Sequence, residues 1–329
     1  MKRAVWERRL HRLWYGNARA ARVLLLPLSG VFCALVQLRR AAYRAGLLAS
    51  RRLDTRVVVV GNITVGGTGK TPLVLALARR LRDAGFTVGI LSRGYRGRGR
   101  VWPVEVSVAS DPDQVGDEPV LLARNSGAVV YAGADRVAAG RALLASRPCD
   151  VLICDDGLQH YRLRRDLEIA VVDAARGHGN GYCLPAGPLR EPVSRLKTVD
   201  ALVYLGEPAP GAFGMQMQVH SATRLCDPAD TRPLTSFRGE RVHAVAGIGD
   251  PQRFFAALRG AGLDVEERSF PDHHRFRAAD LAFADRRPVL MTEKDAVKCA
   301  GFAPAHWWSV AAEVHLEANF VAWVLDSLK

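Results

Sequence analysis

At 329 residues the chain is long enough for about two domains, and a content of 49% hydrophobic and 24% charged residues excludes a disordered or fibrous protein. A formal net charge of +13 and a pI near 10.0 call for an anionic partner, whether nucleic acid, an anionic membrane surface or a phosphorylated substrate. The six cysteines (Cys33, Cys149, Cys154, Cys183, Cys226, Cys299) form no C-x-x-C pair or metal spacing, so they read as reduced thiols used in packing.

Residues 1–22 carry Lys2, Arg3, Arg8, Arg9, Arg12, Arg19 and Arg22, with Trp6, Trp14 and Tyr15 interleaved. Such an arm suits nucleic acid, but the apolar run 23–36, closed by Arg39 and Arg40, argues against that partner. About 14 residues at ~1.5 Å each make a helix of roughly 21 Å, short of a ~30 Å hydrocarbon core. The segment is therefore expected to dip into one leaflet as an interfacial anchor, with a buried core helix as the alternative. A cleaved signal peptide is disfavoured, because Gln37-Leu38-Arg39-Arg40 stands where small residues are needed.

Arg56 to Val60 is a valine-rich run suited to a strand buried on both faces, and residues 73–81 form helices well. Between them Thr64-Val65-Gly66-Gly67-Thr68-Gly69-Lys70-Thr71 reads as a phosphate loop. Its glycines let backbone N–H groups crowd around phosphate oxygens, Lys70 reaches the β and γ phosphates, and the Thr71 hydroxyl suits Mg²⁺. The loop departs from the Walker A pattern at Thr64, where that pattern has glycine.

Residues 87–92 form the next strand and deliver the basic loop Arg93 to Arg100, either a ligand contact at the C-terminal edge of the sheet or a solvated loop. Asp117 reads as a cap for the helix that carries Val120 to Ala123. After a strand at 128–131 and a helix at 137–146, the apolar strand 150–154 ends in Asp155-Asp156, a Walker B-like pair that can hold Mg²⁺ or its water. Residues 169–173 are a further strand. The loop Gly177 to Pro192 is stiffened by Pro185, Pro188 and Pro192, so that Arg190 and Glu191 are held in place for a phosphate or sugar contact. Residues 200–205 close the first sheet.

A Pro- and Gly-rich stretch at 206–213 marks a boundary, and Met215 to Val219 is a linking strand. Residues 242–258 repeat the strand, glycine loop and helix plan without a Lys-Thr pair. A strand at 265–270 leads to Asp272-His273-His274, best read on its own as a turn, and a strand at 288–292 leads to a charged loop. Residues 317–328 form an amphipathic closing helix. The fold expected is α/β, a P-loop NTPase-type, mostly parallel sheet flanked by helices. Its parts are an N-terminal membrane-interface helix (1–50), a P-loop kinase domain (51–213), a smaller α/β domain (214–315) and a C-terminal helix (316–329).

These blocks, taken in order with Ser92-Arg93-Gly94-Tyr95, Gly116-Asp117-Glu118-Pro119, Asp155-Asp156-Gly157-Leu158-Gln159-His160, Leu184 to Pro192 and Thr292 to Lys298, closely resemble the tetraacyldisaccharide 4'-kinase family of lipid A biosynthesis. Thr64 agrees with that family's loop. The resemblance implies transfer of the ATP γ-phosphate to the 4'-hydroxyl of an acylated disaccharide 1-phosphate, giving lipid IVA at the cytoplasmic face of the inner membrane, with a peripheral or monotopic enzyme. It implies ATP contacts from Thr64, Val65, Gly66, Gly67, Thr68, Gly69, Lys70 and Thr71, and roles near ATP or substrate for Gln159 and Arg190. It further implies a Mg²⁺ set of Thr71, Asp155, Asp156 and Glu191, and Asp117 with His273 as the acid-base pair. The partners expected are that lipid and the anionic membrane surface, with no nucleic acid and no obligate protein partner. The rival reading is a membrane-associated P-loop ATPase or GTPase switch, but Cys154 stands where D-x-x-G needs aspartate, and Lys294-Asp295 lacks the N/T-K-x-D spacing.

Overall fold

A computed structural model describes Leu10, residues 12–16 and residues 18–329. The expectations placed on Lys2, Arg3, Trp6, Arg8 and Arg9, and on the Arg19 side chain, lie outside the described residues. Among those residues the strands form one 13-stranded sheet.

β1 (Arg56–Gly61) stands at the middle of the first half, parallel to β5 (Val151–Asp155) on one side and to β6 (Leu167–Asp173) on the other. Its four valines are buried because helices cover both faces of the sheet. α2 (Lys70–Asp83) follows the phosphate loop and packs Leu73, Val74, Leu77 and Leu81 on one face. Outward from β5 run β2 (Val88–Ser92) and β4 (Val129–Ala132), both parallel, with the short antiparallel edge strand β3 (Val104–Val106) beyond. α3 (Pro112–Val115) and α4 (Asp117–Ser126) precede β4, and α5 (Arg136–Ser146), capped by Asp135, follows it.

β7 (Ala201–Leu205) was expected to close the first sheet; instead it pairs in parallel with β8 (Phe213–Arg224). β8 is 12 residues long, more than twice the linking strand expected at 215–219. It pairs antiparallel both with β9 (Asp227–Pro233) and with β13 (Trp307–Leu316), a strand the sequence reading passed over. Through β13 the sheet continues into β12 (Val289–Thr292), β10 (Arg241–Ala246) and β11 (Asp264–Ser269), all parallel, with α6 (Pro251–Gly260) and α7 (Glu293–Cys299) as their helices. The last helix, α8 (Ala318–Ser327), returns to the first half, where Phe320, Val324 and Leu328 share a core with Leu73 and Leu77.

The N-terminal helix is longer than the 23–36 run. α1 (Arg19–Arg44) has 26 residues, since Gln37 to Arg44 are good helix formers once the apolar run has begun the helix. One side lies on the body: the Ser29 hydroxyl donates to the Cys183 carbonyl (2.6 Å), and Arg40 donates to the Thr198 hydroxyl (2.5 Å). The other side leaves Leu24, Leu28, Val31, Leu35 and Leu38 exposed. Trp14, expected among the interfacial residues, donates its indole N–H to the Pro185 carbonyl at 3.0 Å.

Because Phe320 is fully buried in the core under the phosphate-loop helix, Phe320→Ala is expected to destabilise the whole first half by about 3–5 kcal/mol. Urea unfolding followed by far-UV circular dichroism measures this; a loss below about 1 kcal/mol would mean that α8 is only loosely attached.

Candidate active site

The phosphate loop is built from its backbone outward. Gly66 and Gly69 take φ of 111° and 88°, and Gly69 caps α2 in the left-handed conformation, so the loop turns its N–H groups inward where a side chain would be strained. Asn62, which the sequence reading gave no role, is fully buried beneath it. Its amide donates to the Thr64 and Thr68 hydroxyls (3.2 and 2.9 Å), and its Oδ1 accepts from the Lys70 ammonium at 3.2 Å. The strand-to-loop position of Asn62 is the sequence signal that could have found it. Gly61 admits no side chain, because a Cβ would lie 2.5 Å from that of Leu158.

The proline-stiffened loop pairs with the loop's entry: Thr64 bridges Leu189, Val65 N–H donates to the Pro188 carbonyl (2.8 Å), and Arg190 N–H donates to the Ile63 carbonyl (2.6 Å). Arg190 and Glu191 are placed by this pairing. Arg190 Nη1 donates to both Asp156 oxygens at 3.0 Å, and Lys70 lies 3.5 Å from the same carboxylate. Gln159 bridges, donating to the Asn62 carbonyl (2.9 Å) and to Glu191 Oε1 (2.8 Å). Glu191, expected around the metal, has its other oxygen engaged by the Tyr161 hydroxyl, with Arg195 at 3.6 Å.

Asp155 and Asp156 are adjacent but electrically unlike. Burial presses Asp156 upward, yet Lys70 and Arg190 hold its carboxyl well below the usual range. Asp155 is pushed up to about 7 by burial and then by the negative charges of Glu118 and Asp156. Its Oδ2 accepts from the Thr71 hydroxyl at 3.3 Å, while its buried Oδ1 has no partner. An orphaned carboxylate oxygen beside a threonine hydroxyl is the donor set a hard divalent cation requires, so Thr71, Asp155 and Asp156 fit Mg²⁺.

The second half faces this loop directly. A Cβ on Gly249 would lie 3.2 Å from Gly67 N and 3.7 Å from Asp272 Oδ2. Arg176 donates to the Gly249 carbonyl (3.2 Å) and pairs with Asp250 (2.9 Å), and Arg253 pairs with buried Asp173 (2.7 Å). Beside this latch His273 Nδ1 meets Asp117 at 3.0 and 2.9 Å. Asp117 was expected to cap a helix; it is instead the first residue of α4, and its carboxylate turns to the histidine. Burial raises it, but the His273 hydrogen bond and the charges of Lys294, His273 and Lys298 bring it down to about 2. An ionised Asp117 makes Nδ1 the protonated nitrogen and leaves Nε2 as an acceptor, which receives Lys294 Nζ at 3.3 Å. Lys294 also pairs with Glu118 (3.0 Å) and Asp272 (3.4 Å), which keep its ammonium charged against burial. The Tyr95 ring packs edge-on against His273, 5.3 Å between centroids, and Arg96 donates to the Asp272 carbonyl (3.1 Å). Lys294 and Glu118 lie inside the 292–298 and 116–119 blocks, yet only the meeting of α4, α7 and the 272–273 turn gives them a task. His274 pairs with Asp280 at 3.2 Å, away from Asp117.

A family model described as Tetraacyldisaccharide-1-P 4'-kinase matches residues 21–329. The chain belongs to this family. A tetraacyldisaccharide 4'-kinase of Nitrosococcus oceani is 53% identical over 318 residues, covering 97% of this chain and 94% of that one. Its counterpart in an Azoarcus species is 52% identical over 324 residues (96% and 94% covered). The crystal structure of LpxK from Aquifex aeolicus in complex with ATP superposes with a TM-score of 0.79 at 30% identity, over 94% of this chain and all of that one. The chain is thus a P-loop kinase, and the switch-protein reading is set aside.

Asp155 also gives a stability test that needs no substrate. With its pKa raised from 3.8 to about 7, the folded protein binds the proton more tightly than the unfolded chain, so its stabilising effect is complete below about pH 4 and lost as pH rises through 7. In chelator, wild type should lose about 2–3 kcal/mol from this group between pH 5 and 8, and Asp155→Asn should lose none of it. Thermal unfolding across that range reads the difference; parallel pH profiles for the two proteins would show that Asp155 is ionised throughout.

Proposed function

We propose that the chain transfers the γ-phosphate of ATP to the 4'-hydroxyl of a tetraacyldisaccharide 1-phosphate, giving lipid IVA in lipid A biosynthesis, and that Asp117 and His273 activate the acceptor. The observation that carries the residue assignment is the buried Asp117–His273 hydrogen bond beside the phosphate loop. Thr64, Val65, Gly66, Gly67, Thr68, Gly69, Lys70 and Thr71 hold the ATP phosphates, with Gln159 and Arg190 bordering them. Mg²⁺ bound by Thr71, Asp155 and Asp156 supplies charge neutralisation for the phosphates. Glu191, the fourth residue of the expected Mg²⁺ set, accepts from Gln159 and Tyr161 and pairs with Arg195, and Gln159 in turn donates to the Asn62 carbonyl beneath the loop.

A sugar hydroxyl is a poor nucleophile at neutral pH, so its proton must leave as the new bond to phosphorus forms. His273 Nε2 accepts that proton, and Asp117 holds the opposite nitrogen and stabilises the resulting imidazolium. Lys294 occupies Nε2 until the acceptor hydroxyl replaces it, and its charge then lies beside the transferring phosphoryl group. The arginines of the 93–100 loop supply cationic surface for the anionic substrate. On this reading residues 51–213 and 214–315 act as two catalytic units on one sheet, with the phosphate loop on the first and the general base on the second.

Purified chain incubated with γ-labelled ATP and the acylated disaccharide 1-phosphate is expected to move label to the lipid. Asp117→Ala and His273→Ala should each lower kcat by ~10²–10⁴ with little change in ATP binding, and the double variant should be hardly slower than the worse single one. Additive losses, or a His274→Ala variant slower than His273→Ala, would reject the dyad.

The location proposed is the cytoplasmic face of the inner membrane, with no obligate protein partner. Within the helical segment Ala20–Arg44 the most apolar 18-residue window has a mean hydropathy of 1.9 and is only 6% buried. Its contacts with the body at Ser29 and Arg40 occupy roughly 17 Å of a helix about 39 Å long, leaving less than the ~30 Å a crossing needs. A monotopic anchor follows, with the exposed leucines in the lipid and the arginines at the headgroups. Replacing Leu24, Leu28 and Leu35 by glutamate should abolish flotation with anionic vesicles and raise KM for lipid but not for ATP. Unchanged flotation would place the membrane contact elsewhere.

A further inference from the structure

The strand pair that joins the two halves carries a cluster of ligating side chains that the phosphotransfer does not use. On β8, Gln216, Gln218 and His220 share one face by the two-residue period of a strand, and on β13 Glu313 and His315 share the matching face. The antiparallel register sets His315 opposite Gln216 and Glu313 opposite Gln218. A bulge follows: Val219 opposes Ala312 and Ala222 opposes Val310, so β8 carries one residue more than its partner there. The added twist brings His220 toward His315, with 6.3 Å between ring centroids and the rings edge to face. One ligand atom from each of His220, Glu313 and His315 lies within 4.8 Å of the other two.

We propose that His220, Glu313 and His315 form a site for a divalent transition-metal cation of the Zn²⁺ type, with its remaining position open to water. Two imidazoles and one carboxylate select such an ion over Mg²⁺ or Ca²⁺, which take oxygen ligands almost throughout. Tetrahedral donors at ~2.0–2.2 Å from the ion stand roughly 3.4 Å apart, and all three side chains are exposed, so rotation about their side-chain bonds closes the gap without moving backbone. His220 Nε2 lies 3.0 Å from Gln218 Oε1, an outer partner of the kind that orients a metal-bound imidazole. The electrostatics agree. A cavity of about 630 Å³ beside the cluster is lined by Glu207, Gln216, His315 and Glu317 and by no lysine or arginine, in a chain of net charge +13. A bound ion would tie β8 to β13, the one strand pairing through which the sheet passes from the first half to the second.

The test uses the full chain without a histidine tag, stripped by chelator and held in Mg²⁺. Zn²⁺ is titrated at pH 7.5 against a chromophoric zinc indicator of micromolar affinity. We expect one equivalent of Zn²⁺ to be withdrawn from the indicator, with affinity falling at least about tenfold in His220→Gln and His315→Gln and less in Glu313→Gln. Asp155→Asn should bind Zn²⁺ as wild type does, which separates this site from the Mg²⁺ site. Zn²⁺ should also raise the unfolding midpoint of wild type by roughly one to a few degrees but not that of the double histidine variant. Equal withdrawal of Zn²⁺ by wild type and the double histidine variant, no withdrawal by wild type, or withdrawal lost in Asp155→Asn alone would each overturn the proposal.

Discussion

Asp117 and His273 are 156 residues apart in the chain, and they meet because β8 and β13 hydrogen-bond as an antiparallel pair. That ladder carries the parallel strands of the second half onto the sheet that holds the phosphate loop. Because β13 runs antiparallel to β8, the strands of the second half point opposite to those of the first. The loops that follow β10 and β11 therefore face the loops that follow β1, β2 and β5, at the carboxyl edge where a doubly wound sheet offers ligand positions. A binding site between the halves is therefore a consequence of strand order. The ion pairs of Arg176 and Arg253 with Asp250 and Asp173 hold the two edges together at the loop itself.

Strain collects at this edge. Arg96, Asp156 and His273 are the non-glycine residues described at positive φ, at 64°, 50° and 59°, and all three belong to the site. Each such conformation costs on the order of 1 kcal/mol or more and persists only where its surroundings fix it. For His273 the fixing contacts are the Asp117 carboxylate, the Tyr95 ring and Arg96 on the neighbouring carbonyls. For Asp156 they are Lys70 and Arg190. The aspartates of the site differ in how their charge is balanced. Asp117 and Asp156 each have cations within reach that outweigh burial, whereas at Asp155 burial and two negative neighbours outweigh Lys70 and Arg136 and one oxygen has no partner, which suits a cation supplied from outside the chain.

The N-terminal helix obeys two constraints at once. Its Ser29, Cys33 and Arg40 side lies against the loops that carry Gln159, Cys183 and Thr198, and its leucine side is open. Arg39, which stacks near Tyr43 and Tyr161, also donates to the carbonyl of Gln159. The exposed leucine face is thus one residue layer from a side chain that braces the phosphate loop, an arrangement that suits the proposed acceptor, with acyl chains at the helix and sugar at the nucleotide.

The sequence by itself determined the local units. A run of valines, a glycine loop ending in Gly-Lys-Thr and a helix-forming stretch can only be strand, phosphate loop and helix, because each signal is a matter of a few neighbouring residues. The paired aspartates after an apolar strand and the ordered set of motifs were equally legible, and they carried the family. The tertiary structure decided what depends on distant partners. Asp117 reads as a cap until His273 is beside it, Asn62 is an unremarked residue until Lys70 and Gln159 close on it, and Lys294 acquires a role only where α7 meets α4. The continuity of the sheet was hidden for the same reason. Strand pairing is a contact between backbones far apart in the chain, so no window of residues around β8 or β13 could show that they pair.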